Sequence, residues 1–428
     1  MLIQIANWTS QESIDSTWFT LLMNTIEPYS DYKFWYKGFA EQFLYDGWLP
    51  YMGPFEDPSK YKNVLEYILN ILLNDNHLEF IYPPFFFYSI IIPAFISVDF
   101  VFFPILISNL IIPFVIYKFL INFYGKNIAS WGFIATALSP LLIFYNGGLL
   151  LNTSYITLFF LITLYFTAIN RFTLATTFLS ISLLFKQTII FFILPYLVYV
   201  SLKKIEVNNK RLSFIKNFLK YSGIILGISL LGSLPWIIIN PQIYIESLLV
   251  NQSITFDPSF FVPTYNSPMQ WYSFLIRFGA PYWLLYIIAF PSFTLIGIIL
   301  IQIIVLIMLY NWYRNNELEL IKFIDIIIYI AFISHFFFPR GVYKYYFTFH
   351  IPLIVLWICF HFNEILSNHR SKRLNWMLIL LVSSLIIIFI PRLYYLIVIW
   401  FIFGFIIRTN LTFRKREISS KLEEVSKN

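Results

Sequence analysis

Apolar runs of bilayer-crossing length recur along this chain from residue 99 onward, separated by short polar breaks. A bilayer's hydrocarbon core takes about 20 residues of α-helix, so each run predicts a spanning helix. The pattern places spans at residues 100–123, 128–145, 155–169, 172–185, 188–202, 221–239, 284–312, 323–338, 345–362, 375–390 and 393–407. Lys186-Gln187 interrupts what is otherwise one apolar stretch from 172 to 202. The predicted fold class is all-α: a polytopic helical membrane protein with about eleven transmembrane helices and external loop helices.

Charge in the loops orients these spans. Lys203, Lys204, Lys210, Arg211, Lys216 and Lys220 make the most basic loop. By the positive-inside rule that loop is cytoplasmic. An odd number of spans then puts the N-terminus outside and the C-terminus inside. Residues 1–99 become an external region, 240–282 a long external loop and 409–428 a cytoplasmic tail, with spanning helices over 100–239 and 283–408. Residues 1–30 read as neither a signal peptide nor a spanning helix. Either the chain begins outside the membrane or a further span precedes Met1.

Residues 81–97 break the pattern. Tyr82-Pro83-Pro84 opens the segment, Pro93 interrupts it and Asp99 closes it. A proline pair suits the first turn of a helix. The segment predicts a helix lying in or dipping into the outer leaflet, with an ordinary short span as the other reading. Asp99 reads as the cap of the first span.

Composition narrows the class. Of 428 residues, 59% are hydrophobic and 12% charged. Soluble proteins carry about 25% charged residues, so a water-soluble fold is excluded. The net charge of +7 does not point to nucleic acid, because the basic residues sit in loops between spans. Cys359 is the one cysteine, which rules out an intramolecular disulfide and a cysteine metal cluster. His77, His335, His350, His361 and His369 show no ligand spacing. No metal and no cofactor is expected. Heavy use of Ile, Tyr, Asn and Lys points to an AT-rich prokaryotic genome, hence the cell membrane rather than the endoplasmic reticulum.

The chemistry-bearing stretch is residues 30–88, polar at its start and aromatic throughout, with Asp31, Asp46, Glu56 and Asp57. Asp31 reads in two ways: as the N-cap of a helix over 32–44, and as a carboxylate base beside the membrane. Asp46 before Gly47 reads as a turn residue. Lys186, Arg277, Arg340 and Lys344 fall on the predicted outer face, against the charge bias. Snorkelling to headgroups is one explanation; phosphate binding is the other. Arg340 and Lys344 share one helical face if their turn is helical. Trp35, Trp48, Trp271 and Tyr272 suit either sugar stacking or an interfacial aromatic belt.

Three segments together resemble the GT-C membrane glycosyltransferases that use polyprenyl (dolichyl) phosphate sugars. The first is Ser30-Asp31-Tyr32 followed by Gly47-Trp48-Leu49-Pro50-Tyr51 and Tyr82-Pro83-Pro84. The second is Phe185-Lys186-Gln187 with Pro195, similar to the F-K-Q segment of the glucosyltransferases that extend dolichol-linked oligosaccharides. The third, Arg340-Gly341-Val342-Tyr343-Lys344, sits where that subfamily has an R-V-H-E-K-like motif, but its His-Glu pair is absent here. The resemblance implies a metal-independent hexosyltransferase, mannosyl or glucosyl (EC 2.4.1 type), acting on the extracytoplasmic face. Its donor would be a polyprenyl phosphate sugar and its acceptor a hydroxyl on a glycan, lipid or protein. Asp31 would be the general base. Lys186, Gln187, Arg340 and Lys344 would hold the donor phosphate, and Trp35, Tyr51, Tyr82 and Trp271 would line the donor and acceptor sites. One carboxylate favours inversion, since retention through a covalent intermediate needs a second.

Two further classes fit a polytopic basic chain: a lipid-linked oligosaccharide flippase and a secondary transporter. The first would show internal repeats in its spans, and none is clear here. The second would place ionisable groups at mid-span, and beyond Asp99 the spans carry almost none but Asp325. An oligosaccharyltransferase shares the GT-C architecture, but its W-W-D-Y-G motif is missing.

Overall fold

The computed structural model describes residues 36–46, 82–205, 209–241, 244, 281, 283, 291–336 and 347–367. Among them the chain is all helix and contains no strand. In order these are α1 (Lys37–Asp46), α2 (Pro84–Ala94), α3 (Phe102–Tyr124), α4 (Lys126–Ala137), α5 (Thr153–Ala168), α6 (Phe172–Phe185), α7 (Ile190–Lys203), α8 (Lys210–Ile239), α9 (Pro291–Arg314), α10 (Leu320–Phe336) and α11 (Phe347–Ser367). A 3-10 turn, Val98–Val101, leads into α3, and a π-helical turn, Leu142–Gly148, follows α4.

Among the described residues three helices are long and apolar enough to cross a membrane: Val98–Tyr124, Lys210–Ile239 and Ile296–Arg314. The other α-helices have 17 residues or fewer, except α11 with 21. α5, with 16 residues, rises about 24 Å, below the roughly 30 Å of a hydrocarbon core. It is apolar on all sides and buried on nearly all of them, as an interior helix must be. α3, α6 and α11 pack around it. α8 and α9 instead expose leucine and isoleucine along one side. Buried hydroxyls in the apolar helices bond back one turn. Thr157 donates to the Thr153 carbonyl at 2.7 Å, Thr167 to Thr163 at 2.7 Å and Ser180 to Thr176 at 2.8 Å. This satisfies each polar group without a partner from another helix.

Several boundaries differ from the sequence pattern. α8 begins at Lys210, so the basic segment expected as a loop is helical from there. The expected span over 128–145 breaks after Ala137, where Ser139-Pro140 interrupts it, and resumes as the π-helical turn. α2 is an 11-residue helix with proline in its first turn. It is too short to span, and it packs on α3, α6 and α8. Asp99 is not the cap: the Ser97 hydroxyl accepts from the Asp99 N–H at 3.3 Å. The segments 375–390 and 393–407 lie outside the described residues.

α3 and α4 meet through Gly132. A Cβ there would collide with Leu120 Cδ1 and lie 3.3 Å from Ile116 Cγ2 and 3.4 Å from Cys359 Sγ. Leu120 and Ile116 are themselves fully buried, so neither has room to yield. Gly132→Val is expected to destabilise the bundle by about 1–3 kcal/mol, the usual cost of overpacking. Gly223→Ala on α8, which meets nothing within 4 Å, is expected to leave it unchanged or slightly more stable. Thermal melting in detergent compares the two.

Candidate functional site

At one end of the bundle the helix ends bring polar side chains together. α6 stops at Phe185 because Lys186 is extended, with φ −159° and ψ 133°, and the 3-10 turn Gln187–Ile189 follows. Lys186 is only 6% exposed. Its ammonium therefore sits inside the protein, and snorkelling to headgroups does not describe it. Its Nζ donates to Asn152 Oδ1 at 3.3 Å. Because that oxygen accepts, the same amide carries Nδ2 as a buried donor with no hydrogen-bond partner.

Asn152 comes from the short turn that leads into α5. Leu150 in that turn is left-handed, with φ 56°, which costs a residue with a side chain about 1–2 kcal/mol. Strain of this kind persists only where the surroundings fix it, and it clusters at functional sites. The Asn152 N–H donates to the Tyr36 hydroxyl at 3.4 Å. Thr153 extends the cluster: its hydroxyl donates to Asn146 Oδ1 at 2.7 Å and accepts from the Thr348 hydroxyl at 2.8 Å. Asn146, from the π-helical turn, also keeps a buried Nδ2 without a partner. Thr348 opens α11.

Aromatic rings close this end. Tyr36 is fully buried and meets Tyr82 edge-on at 5.8 Å and Phe86 at 4.7 Å. Tyr155 stacks on Phe185 at 4.6 Å and meets Phe86 at 6.3 Å. The path from Tyr82 through Tyr36 to Asn152 therefore ends on Lys186. Nearby, Lys37 donates to Asp99 at 2.7 Å. That hydrogen bond holds the Lys37 ammonium above its ordinary range, with partial burial opposing it and the Asp99 and Glu41 charges adding to it. Both partners are exposed, so the pair contributes little to stability.

The opposite end carries most of the described basic residues. Lys203 Nζ donates to the Leu318 carbonyl at 3.0 Å. Lys204 sits over the Phe172 ring at 5.6 Å, and Lys322 pairs with Glu317 at 2.7 Å.

Of the residues singled out by sequence, Lys186, Gln187 and Tyr82 are described. Lys186 and Gln187 adjoin at the break between α6 and α7, and Tyr82 joins them through Tyr36 and Asn152. Asp31, Trp35, Tyr51, Trp271, Arg340 and Lys344 lie outside the described residues. Asn146, Asn152 and Thr348 escaped the sequence reading. The available signal was a pair of asparagines flanking Gly147-Gly148-Leu149-Leu150-Leu151 between two apolar runs. Chemically, a buried ammonium beside amide N–H donors suits an anion such as a phosphate or carboxylate. The chain matches no family model and no curated protein.

Proposed function

We propose that this protein is a membrane glycosyltransferase of the GT-C type, with about eleven spans and its site on the extracytoplasmic face. It moves a hexose from a polyprenyl phosphate to a hydroxyl acceptor. The observation that carries the reading is Lys186: a buried ammonium, held by Asn152 at a helix break, at the end of the bundle away from the cluster of Lys203, Lys204 and Lys322. In transfer, the bond from the sugar's anomeric carbon to the phosphate oxygen breaks, and its electron pair leaves with the phosphate. Lys186 and the Asn152 amide stabilise that growing negative charge. The acceptor oxygen bonds to the anomeric carbon, and its proton passes to Asp31. Asp31 lies five positions before Tyr36, a reach of at most about 18 Å, and Tyr36 is bonded to Asn152. Connectivity thus supports a carboxylate near the Lys186 end. Arg340 and Lys344 complete the phosphate contacts in this reading.

The test is transfer by the purified chain in vesicles, with polyprenyl phosphate carrying labelled glucose or mannose and a membrane lipid extract as acceptor source. Release of free polyprenyl phosphate with either sugar is expected, together with a labelled product. No release with either would sink the transferase reading in favour of the flippase or transporter. The topology is tested by labelling single cysteines at Asn209 and Asn251 from either side of the membrane. Cys359 is buried and gives little background. Opposite sides are expected; labelling from one side would overturn the arrangement.

A further inference from the structure

We propose that the first turns of α8, Lys210 to Lys220, form a binding site for the headgroup of an anionic phospholipid. This rests on the membrane reading but not on the transferase reading. α8 has 30 residues and is about 45 Å long, some 15 Å more than a hydrocarbon core. Its other end is fixed by Trp236, buried between Phe87 at 5.4 Å and Tyr88 at 6.4 Å. Counting about 20 residues back from there brings the helix into the headgroup layer near Lys216.

The surface of this segment has the right chemistry. Leu212 (62% exposed), Ile215 (44%) and Leu219 (64%) fall within an arc of about 60° on the helix. Tyr221, which is fully buried, and Phe214, packed on the core, lie on the opposite side. The apolar stripe therefore points away from the described helices that α8 packs against, and Leu226 and Leu230, both exposed, continue it along the span. Acyl chains have one uninterrupted surface to follow. Cations flank the stripe: Arg211 on one edge, Lys216 and Lys220 on the other, all exposed. Lys216 and Lys220 are one turn apart and adjacent. Asn217 donates to the Lys204 carbonyl at 3.1 Å, which adds the exposed Lys204, at the C-terminal cap of α7, to that edge. Residues 203–220 hold six cations and one carboxylate, Glu206. A phosphodiester held among these cations, with its chains on Leu219, Leu226 and Leu230 where the stripe enters the span, satisfies both charge and burial. A protein partner or a second copy would have to compete with lipid for a surface continuous with the span.

The experiment compares the full chain with an Arg211→Gln/Lys216→Gln/Lys220→Gln variant, and with Lys37→Gln at the other end as control. Each is reconstituted in phosphatidylcholine vesicles with and without phosphatidylglycerol, then extracted, and retained phospholipid is counted by native mass spectrometry. Each cation near an anionic surface contributes about fivefold in binding. The triple variant is expected to lose phosphatidylglycerol retention by roughly 100-fold, with phosphatidylcholine and melting temperature unchanged. Equal retention in variant and parent overturns the proposal. So does displacement of the lipid by inorganic phosphate, which would assign the cations to a free anion. Loss of a dimer without loss of lipid would assign the face to a second copy. A parent that is washed off vesicles by carbonate would overturn the membrane reading as well.

Discussion

Replacing Lys186 by methionine is expected to lower affinity for polyprenyl phosphate roughly 10- to 150-fold. Hydrogen bonds to charged groups contribute about 1.5–3 kcal/mol, and 1.4 kcal/mol is tenfold. Methionine keeps the unbranched shape in a site that is only 6% exposed, so packing survives. The exchange does leave Asn152 Oδ1 without the donor it has at 3.3 Å. A buried unpaired acceptor costs about 1–3 kcal/mol, offset in part because no ammonium has to be desolvated. Pairing the change with Asn152→Leu removes both partners at once, which is often close to neutral. The backbone bond from Asn152 to Tyr36 does not depend on that side chain. Melting is therefore expected to fall in Lys186→Met and recover in the double variant, while polyprenyl phosphate binding stays weak in both. A Lys186→Met protein that binds polyprenyl phosphate like the parent would reduce this residue to a structural ion.

Particular residues show how far the sequence carried the fold. The helix over 172–185 was legible to the residue, because Arg171 and Lys186 bound a run without charge. The start of α8 was not. Hydropathy counts Lys210, Arg211, Lys216 and Lys220 as loop, yet lysine and arginine are good helix formers, and Leu212, Ile215 and Leu219 between them keep the helical period. The break near Ser139-Pro140 was visible in principle, since proline disfavours helix in the residue before it. The run's overall hydrophobicity outweighed that local signal.

The site was half legible for a related reason. A lone cation in an apolar run marks Lys186 without any partner being known. Its partner Asn152 is 34 residues away, Thr348 lies 195 from Thr153, and Tyr36 lies 116 from Asn152. No periodicity encodes such contacts, and an asparagine at the edge of a span looks like an ordinary turn residue. Burial also adds something that sequence left open. The Lys186 side chain is enclosed by neighbouring helices and donates to Asn152, which speaks against snorkelling; phosphate binding is what the Lys186→Met experiment tests.

Asp31→Asn is expected to slow sugar transfer by about 10²- to 10⁴-fold, the usual contribution of a general base. The substitution keeps the shape of the side chain and, with it, the other role open to this residue. Asparagine caps helices about as well as aspartate, so a purely structural Asp31 would tolerate the change. Donor binding is expected to persist, because Lys186 and Asn152 are untouched. Asp46→Asn, at the last residue of α1, is the control and should alter turnover little. The pH dependence separates the roles further. A base acts only when ionised, so parent turnover should fall on acidification as the carboxylate takes up its proton. The residual activity of Asp31→Asn should lack that limb. Both are measured as transfer from a polyprenyl phosphate sugar in vesicles, with donor binding followed separately. An Asp31→Asn protein that transfers at the parent rate, with the same acid limb, would leave Asp31 as a cap and move the search for the base to Asp46, Asp57 or Glu246, a carboxylate of the expected external loop over 240–282.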